Sequence, residues 1–563
     1  MIETYAIALL AAVPLLAVAR WAFLPSSRLP RWRVRVMRVR LRLKLHPGRG
    51  HATVLELWLR WGRFAAWRRS GRSRRSLSAW QRRRAAEHSV FAGRAHLRHG
   101  LRFPVEEHAV IIAPPRTFKT AYLADVILHY PGPGLSTTTK ADVFELTSGV
   151  RAGLGPVHVF NPQGIGGVPS TFRWNPLDGC EVQAVAIRRA DGFAHAVSME
   201  GTEESSFWSS KASSYLRGLF HAAALAGGDM RLVVRWALGD AQDAEDILSQ
   251  AGAGQWALEL GELRGEAART AATIRMVLSR ALSFMTDPDL ALSVLPGCEG
   301  FDIGEFLRGR GTLYMIADSD RDDSPLAPLF ACMATEVHWL AAQAASRQPG
   351  GRLDPPLLLA LDEIVQTCPV PLPAWCADSG GKGIQIISVA HGEAQLATRW
   401  REHGKQVILD TAGVRLFLPG IGDVRTLEMA SKLCGQTALR ERGQEHHSRH
   451  DVMTPDMIRQ LPAGYALILR GGLAPVVTRL PVAWKDPAYR KARRRGAAVA
   501  PLVPAPLPAA LSGDGDGVLG QMPAWPVTDH MAAPGGDSLA GREHRVPDLA
   551  AAAAAADHPW SQR

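Results

Sequence analysis

The most constraining stretch is Pro356–Ile364, PLLLALDEI: five apolar residues in a row, Leu357 to Leu361, closed by two carboxylates, Asp362 and Glu363. A short run that is apolar on every side suits a strand buried on both faces, as in a parallel sheet covered by helices. Acids at the carboxyl end of such a strand lie where open α/β sheets bind their ligands. In P-loop nucleotidases the first acid of such a pair helps hold magnesium, and the second orients the attacking water. Taken alone, the stretch is equally a buried strand that ends in a solvated acidic turn.

A second segment upstream favours the nucleotide reading. His108–Ile112 is a strand candidate that runs into Ala113, Pro114, Pro115, Arg116, Thr117, Phe118, Lys119 and Thr120. Apolar residues at helical spacing follow, from Ala121 to Ile127. Strand, loop and helix are the setting a phosphate-binding loop needs, with Lys119 reaching the β- and γ-phosphates and Thr120 ligating magnesium. The pattern GxxxxGK[ST] is broken, with Ala113 and Phe118 standing where glycines are expected. Phe118 is the more serious break, because that glycine takes φ > 0 and lets the backbone approach phosphate.

Charge is unevenly spread. Of 65 Lys and Arg, 22 lie between Arg20 and Gly100 against two acids, Glu56 and Glu87; the other 43 face 51 acids elsewhere. The net charge of +12 thus comes from one segment, which predicts a local anionic partner, lipid headgroups or nucleic acid. Before it, Tyr5 to Ala19 carries no charge and the apolar character continues to Leu24, enough to span a bilayer with Arg20 snorkelling. Ala17–Ala19 resembles a signal-peptidase site, but no Lys or Arg precedes the apolar run and a dense arginine run follows it, so an uncleaved anchor with its N-terminus outside is the favoured reading. The six scattered cysteines form no CxxC pair and read as reduced thiols. His446, His447 and His450 lie in a polar stretch and read as a solvated loop rather than a metal site.

Further strand candidates are Leu135–Thr139, Val157–Phe160, Thr312–Ile316, Gln385–Val389, Val414–Leu418 and Tyr465–Leu469. Helical stretches between them predict an α/β fold with a mainly parallel sheet. No strand pattern is evident from Val182 to Asp289, which reads as an all-helical insertion. The expected organisation is a transmembrane anchor (1–24), a basic juxtamembrane region (25–88), a nucleotide-binding domain in two pieces (89–181 and 290–490), the all-α insertion (182–289) and a disordered tail rich in Pro, Ala and Gly (491–563).

Together these residues resemble the conjugative coupling proteins of type IV secretion, the TraG/TraD-like family, most closely its actinobacterial members. The ordered landmarks after the loop are TTTKADVFELT (Thr137–Thr147), VFNPQG (Val159–Gly164), RWNPL (Arg173–Leu177), SSFWSSKASSYLRGLF (Ser205–Phe220), TIRMVLSRALSFMTDP (Thr273–Pro288), LDEI with the following segment to Leu396, and MTPDMIRQLPAGYALIL (Met453–Leu469). The resemblance implies a RecA-like P-loop NTPase core using ATP and Mg2+, with Thr120 and Asp362 at the metal and Glu363 catalytic. It implies a membrane-anchored homo-hexamer that recruits a relaxase and single-stranded DNA and drives the DNA to a type IV secretion channel. Three positions depart from it: Phe118, His391 where a sensor glutamine is expected, and Gly380 where many members carry an arginine. A histidine keeps a hydrogen-bonding nitrogen; the neighbouring Lys382 lacks the bidentate fork of arginine. They leave open a nucleotide-independent scaffold. A double-stranded DNA translocase of the FtsK type shares the core, but the helical insertion counts against it.

Overall fold

The computed structural model describes residues 50–505 except 96–97, 198–204, 266–267, 297–300, 319–323 and 441–446. The expected anchor, the run Arg31–Leu45, Cys298, His446 and the tail from 506 lie outside the described residues. No helix among the described residues is long and apolar enough to cross a membrane.

Among the described residues, a helical stretch over Val54–Glu56 and Leu57–Trp61 comes first, then α1 (Arg63–Ser73). A hairpin follows, β1 (Ser89–Arg94) and β2 (Gly100–Pro104). Strands and helices then alternate: β3 (Ala109–Ile112), α2 (Lys119–His129), β4 (Gly134–Thr138), α3 (Asp142–Arg151) and β5 (Val157–Phe160). Six longer helices come next, α4 (Gln183–Ala194), α5 (Ser205–Leu225), α6 (Met230–Leu238), α7 (Gln242–Gln250), α8 (Gly254–Gly265) and α9 (Ala268–Ala281). Alternation resumes with β6 (Thr312–Ile316), α10 (Ala327–Ser346), β7 (Leu357–Leu361), α11 (Leu372–Asp378), β8 (Ile384–Ala390), α12 (Glu393–Thr411), β9 (Val414–Phe417) and α13 (Val424–Cys434). The last described elements are the hairpin β10 (Gln436–Arg440) and β11 (His447–Asp451), then β12 (Tyr465–Arg470), β13 (Val476–Arg479) and α14 (Pro487–Arg494).

One sheet of eleven strands organises the whole, in the order β2-β1-β13-β12-β9-β3-β8-β7-β4-β6-β5. From β9 to β5 every pairing is parallel, and from β2 to β9 every pairing is antiparallel. The sheet is therefore mainly parallel, with an antiparallel flank. Strand residues alternate between two hydrophobic clusters: Leu357, Leu359 and Leu361 on one face, Leu358 and Ala360 on the other. Both faces are covered, so β7 carries no polar residue. At the outer edge, the N–H groups of Val159 and Asn161 donate to Thr171 Oγ1 at 2.9 Å and Ser170 Oγ at 2.8 Å. Side chains thus close the open side of β5.

The helical segment packs around α5, which touches α4, α6, α7, α8 and α9, while α4 lies along α10. That last approach needs Gly192, where a Cβ would stand 2.8 Å from Cys332 Cα. The five cysteines among the described residues are buried and unpaired.

Two boundaries differ from the expectation. From Gly50 the basic region belongs to the folded body. Leu57 and Trp61 are fully buried against the sheet. Arg470 donates to both Glu107 carboxylate oxygens at 2.6 and 2.7 Å and to Arg60 O at 3.0 Å, with its guanidinium over the Trp61 ring. Arg74 is buried and donates to Asp354 Oδ1 at 2.6 Å. These contacts make Arg74 a cross-link rather than part of a solvated charge run, and the bidentate Arg470–Glu107 pair ties the segment down through Arg60 O and the Trp61 ring. The start of the expected tail is also ordered: residues 491–505 complete α14 and return over α3, where Gly149 N donates to Ala498 O and Ala500 N to Ser148 Oγ. Backbone contacts of this kind leave no apolar periodicity to read. The hairpin β10–β11 replaces the solvated loop expected around His450, which is exposed on β11.

Candidate nucleotide site

The parallel register brings the ends of β3 and β7 to the same side, with β8 between them. The loop after β3 and the acids after β7 therefore meet. Lys119 Nζ lies 2.8 Å from Glu363 Oε1 and 3.5 Å from Asp362 Oδ1. Thr120 Oγ1 donates to Asp362 Oδ2 at 3.4 Å. Two residues chosen from one motif and two from another are thus in direct contact.

Asp362 is buried, and burial pushes its carboxyl above the usual range; the ammonium of Lys119 opposes that shift, while Glu363 adds to it. Removing either partner of such a pair strands a desolvated charge. Thr137 and Thr367 each donate their hydroxyl to the Asp362 carbonyl, at 3.3 and 3.0 Å, and fix the turn that presents the acids. Asp142, in the TTTKADVFELT segment, also feels Lys119, and burial raises its carboxyl.

The loop has the backbone of a phosphate cradle without its glycines. Arg116 has φ 64° and Phe118 has φ 70°, ψ 15°. Glu363 is left-handed too, at φ 48°, ψ 44°. Each such pose costs a side-chain-bearing residue about 1–3 kcal/mol and persists only where its surroundings dictate it. Phe118 packs its ring on Trp484, with centroids 5.8 Å apart and planes tilted by 39°. Thr117 Oγ1 donates to Pro114 O at 2.6 Å, and Ala113 N to Ala390 O at 2.9 Å, anchoring the loop to the end of β8. No side chain caps the N-terminus of α2, so its first amides are available to an anion.

His391 follows β8. Its Nδ1 lies 3.1 Å from Ala113 O, its Nε2 3.9 Å from Glu363 Oε1, and its backbone N–H donates to Gln395 Oε1 at 2.9 Å. Gly380 is away from this group. A Cβ there would stand 2.5 Å from the Glu106 carbonyl oxygen, so the position admits no arginine. Lys382 is paired with Asp378. Trp484 lies in no motif, and Thr367 carries no signal of its own within the segment after LDEI; both act through contacts made only by the folded chain.

The residues present fit a nucleotide with its divalent ion: a lysine against two acids, a hydroxyl beside a buried carboxylate as oxygen ligands, and uncapped helix amides. Strand, loop, uncapped helix and acid pair together have the arrangement of a P-loop nucleotide-binding core.

The family model described as the TraM recognition site of TraD and TraG matches residues 356–463. No curated protein matches the chain. Among solved structures, the unbound bacterial conjugative coupling protein TrwB superposes with a TM-score of 0.53 at 18% identity, covering 69% of this chain and 89% of that one. TrwB in complex with ADP and Mg2+ gives 0.51 at 19%, covering 69% and 89%. TrwB with a non-hydrolysable ATP analogue gives 0.51 at 19%, covering 68% and 88%. Residues 356–463, from the acid-bearing strand onward, thus match a TraG/TraD segment, and the fold around them is similar to that of the conjugative coupling protein TrwB.

Proposed function

We propose that this chain is a membrane-anchored coupling ATPase of conjugative DNA transfer. It assembles as a homo-hexamer, recruits a relaxase bound to single-stranded DNA, and drives the DNA to a type IV secretion channel. The observation that carries the reading is the convergence of Lys119 and Thr120 with Asp362 and Glu363. ATP would lie along Ala113–Thr120. Lys119 would face the β- and γ-phosphates, and Thr120 and Asp362 would ligate Mg2+. Without nucleotide the Lys119 ammonium neutralises Glu363; drawn to phosphate, it frees that carboxylate to orient the attacking water. His391, 3.9 Å from Glu363, is placed to donate a hydrogen bond to water or phosphate.

Support for a membrane-facing N-terminal side comes from Trp58, Phe64 and Trp67. All three are substantially exposed, and their rings stack in series at 5.2 and 6.1 Å, among Arg60, Arg63 and Arg68. Aromatic and basic side chains on one surface suit an anionic bilayer interface. The family description adds a protein partner of the TraM kind for residues 356–463.

The test is nucleotide binding and phosphate release by the full-length protein in lipid nanodiscs, with and without single-stranded DNA, beside Lys119→Ala and Glu363→Gln. Turnover that rises with DNA and is lost in both variants is expected. DNA binding with no nucleotide bound at millimolar ATP would overturn the motor and leave the nucleotide-independent scaffold.

A further inference from the structure

We infer that Trp484 is a positioning residue of the nucleotide site: it replaces the missing loop glycine by holding Phe118 in the left-handed backbone the loop requires. The inference rests on the nucleotide-binding reading above. A glycine reaches this conformation unaided, whereas a bulky side chain does so only when its surroundings impose it. For Phe118 the contact that can impose it is its ring pair with Trp484.

Trp484 is itself held in place. It sits in a single turn, Ala483–Lys485. Ala483 is fully buried against Ala124 and Leu128 of α2. Two residues beyond Trp484, Asp486 Oδ2 accepts from His129 Nε2 at 2.9 Å, at the far end of α2, and its Oδ1 caps α14 by accepting from Ala488 N at 2.7 Å. The segment Ala483–Asp486 thus touches α2 at its start, along its middle and at its end. Tyr489, like Leu146 and Val150 of α3, packs against that same cluster of Ala124, Leu128 and Ala483, and Gly149 N donates to Ala498 O. There a Cβ on Gly149 would stand 2.1 Å from the Ala497 carbonyl oxygen, so the strap lies directly on α3. The strap is fixed to both helices that follow the first two nucleotide-side strands, and it delivers the indole to the loop as part of that rigid unit. Nucleotide affinity therefore depends on a segment some distance from every nucleotide motif.

The experiment is a double-mutant cycle on full-length protein, reading the Kd of a fluorescent ATP analogue with a thermal melt for each variant. Trp484→Ala is expected to weaken binding about tenfold beside Phe118, and less than about twofold in the Phe118→Gly background, because glycine needs no prop. Trp484→Phe, which keeps a ring, should bind like the wild type. An equal loss in both backgrounds would overturn the inference, since a general structural role acts irrespective of residue 118. Should Trp484→Ala not fold, Trp484→Leu takes its place in the cycle with the same two readings. If the wild type and Phe118→Gly both bind no nucleotide while melting normally, the nucleotide reading fails and takes the inference with it; a wild type that binds while the cycle shows no coupling removes the inference alone.

Discussion

Phe118 and Glu363 share the same left-handed conformation, and they are held there by different forces. Glu363 is held from inside, by the Lys119 ammonium at 2.8 Å and by a hydroxyl of Thr367 on its carbonyl at 3.2 Å. Phe118 is held from outside, by the ring of Trp484. A charge-held pose is open to change when a competing anion arrives. A packing-held pose is indifferent to charge. On the nucleotide reading proposed above, bound nucleotide would release the acid while the loop keeps its shape.

The largest effect should come from breaking the charge side. Lys119→Ala strands the buried Asp362 carboxylate and is expected to lower unfolding free energy by about 3 kcal/mol, measured by urea denaturation. Adding Asp362→Asn should recover most of that loss; no recovery would mean that lysine acts through packing instead. Next, Glu363→Gln keeps size and hydrogen bonding but not charge. Its turnover should fall by about a hundredfold while nucleotide binding persists, read by phosphate release against equilibrium binding.

The packing side is probed by contrast at one position. Phe118→Val loses the ring pair and places a β-branched residue in the left-handed region, so about 2 kcal/mol of stability should be lost. Phe118→Gly loses the ring but relieves the backbone, and should stay within about 1 kcal/mol of the wild type. Equal losses would show that Phe118 carries no backbone strain. The smallest effect lies where the strap meets the end of α2. The hydrogen bond to Asp486 raises the His129 value above its usual 6.5, so its contribution is complete below pH 6.5 and fades as pH rises through the raised value. Burial pushes the Asp125 carboxyl up to about 6, which disfavours the folded state as that group ionises and works in the same direction; Arg102 opposes it. The melting difference between wild type and His129→Gln should therefore shrink from pH 6 to pH 8, while the Phe118–Trp484 contact stays constant.

Legibility in the sequence followed the same division. The core strands, the loop and the acid pair could be read because continuous apolar runs at β3 and β7 are local signals, and because parallel strands place their carboxyl ends together. Of the antiparallel flank only β12 could be read, as the candidate Tyr465–Leu469. β1 (SVFAGR) and β13 (VVTR) are short and mix arginine with apolar residues, and they become strands through partners far along the chain. The basic segment concealed Arg74, whose partner Asp354 is distant in sequence. The strap from Ala483 to Ala505 has the composition of a tail, and it docks largely through backbone groups that any residue carries. Lys119, Thr120, Asp362 and Glu363 were all in motifs; Trp484 was not, and only the fold brings it to Phe118.

The closed side of β5 has a consequence for assembly. Its outward N–H groups at Val159 and Asn161 are already satisfied by Thr171 and Ser170, so this margin cannot template a strand from another molecule. Any neighbour met there is met through side chains. Such a seam could slide or part by small steps without unzipping a row of backbone bonds, as the hexameric motor proposed above would require.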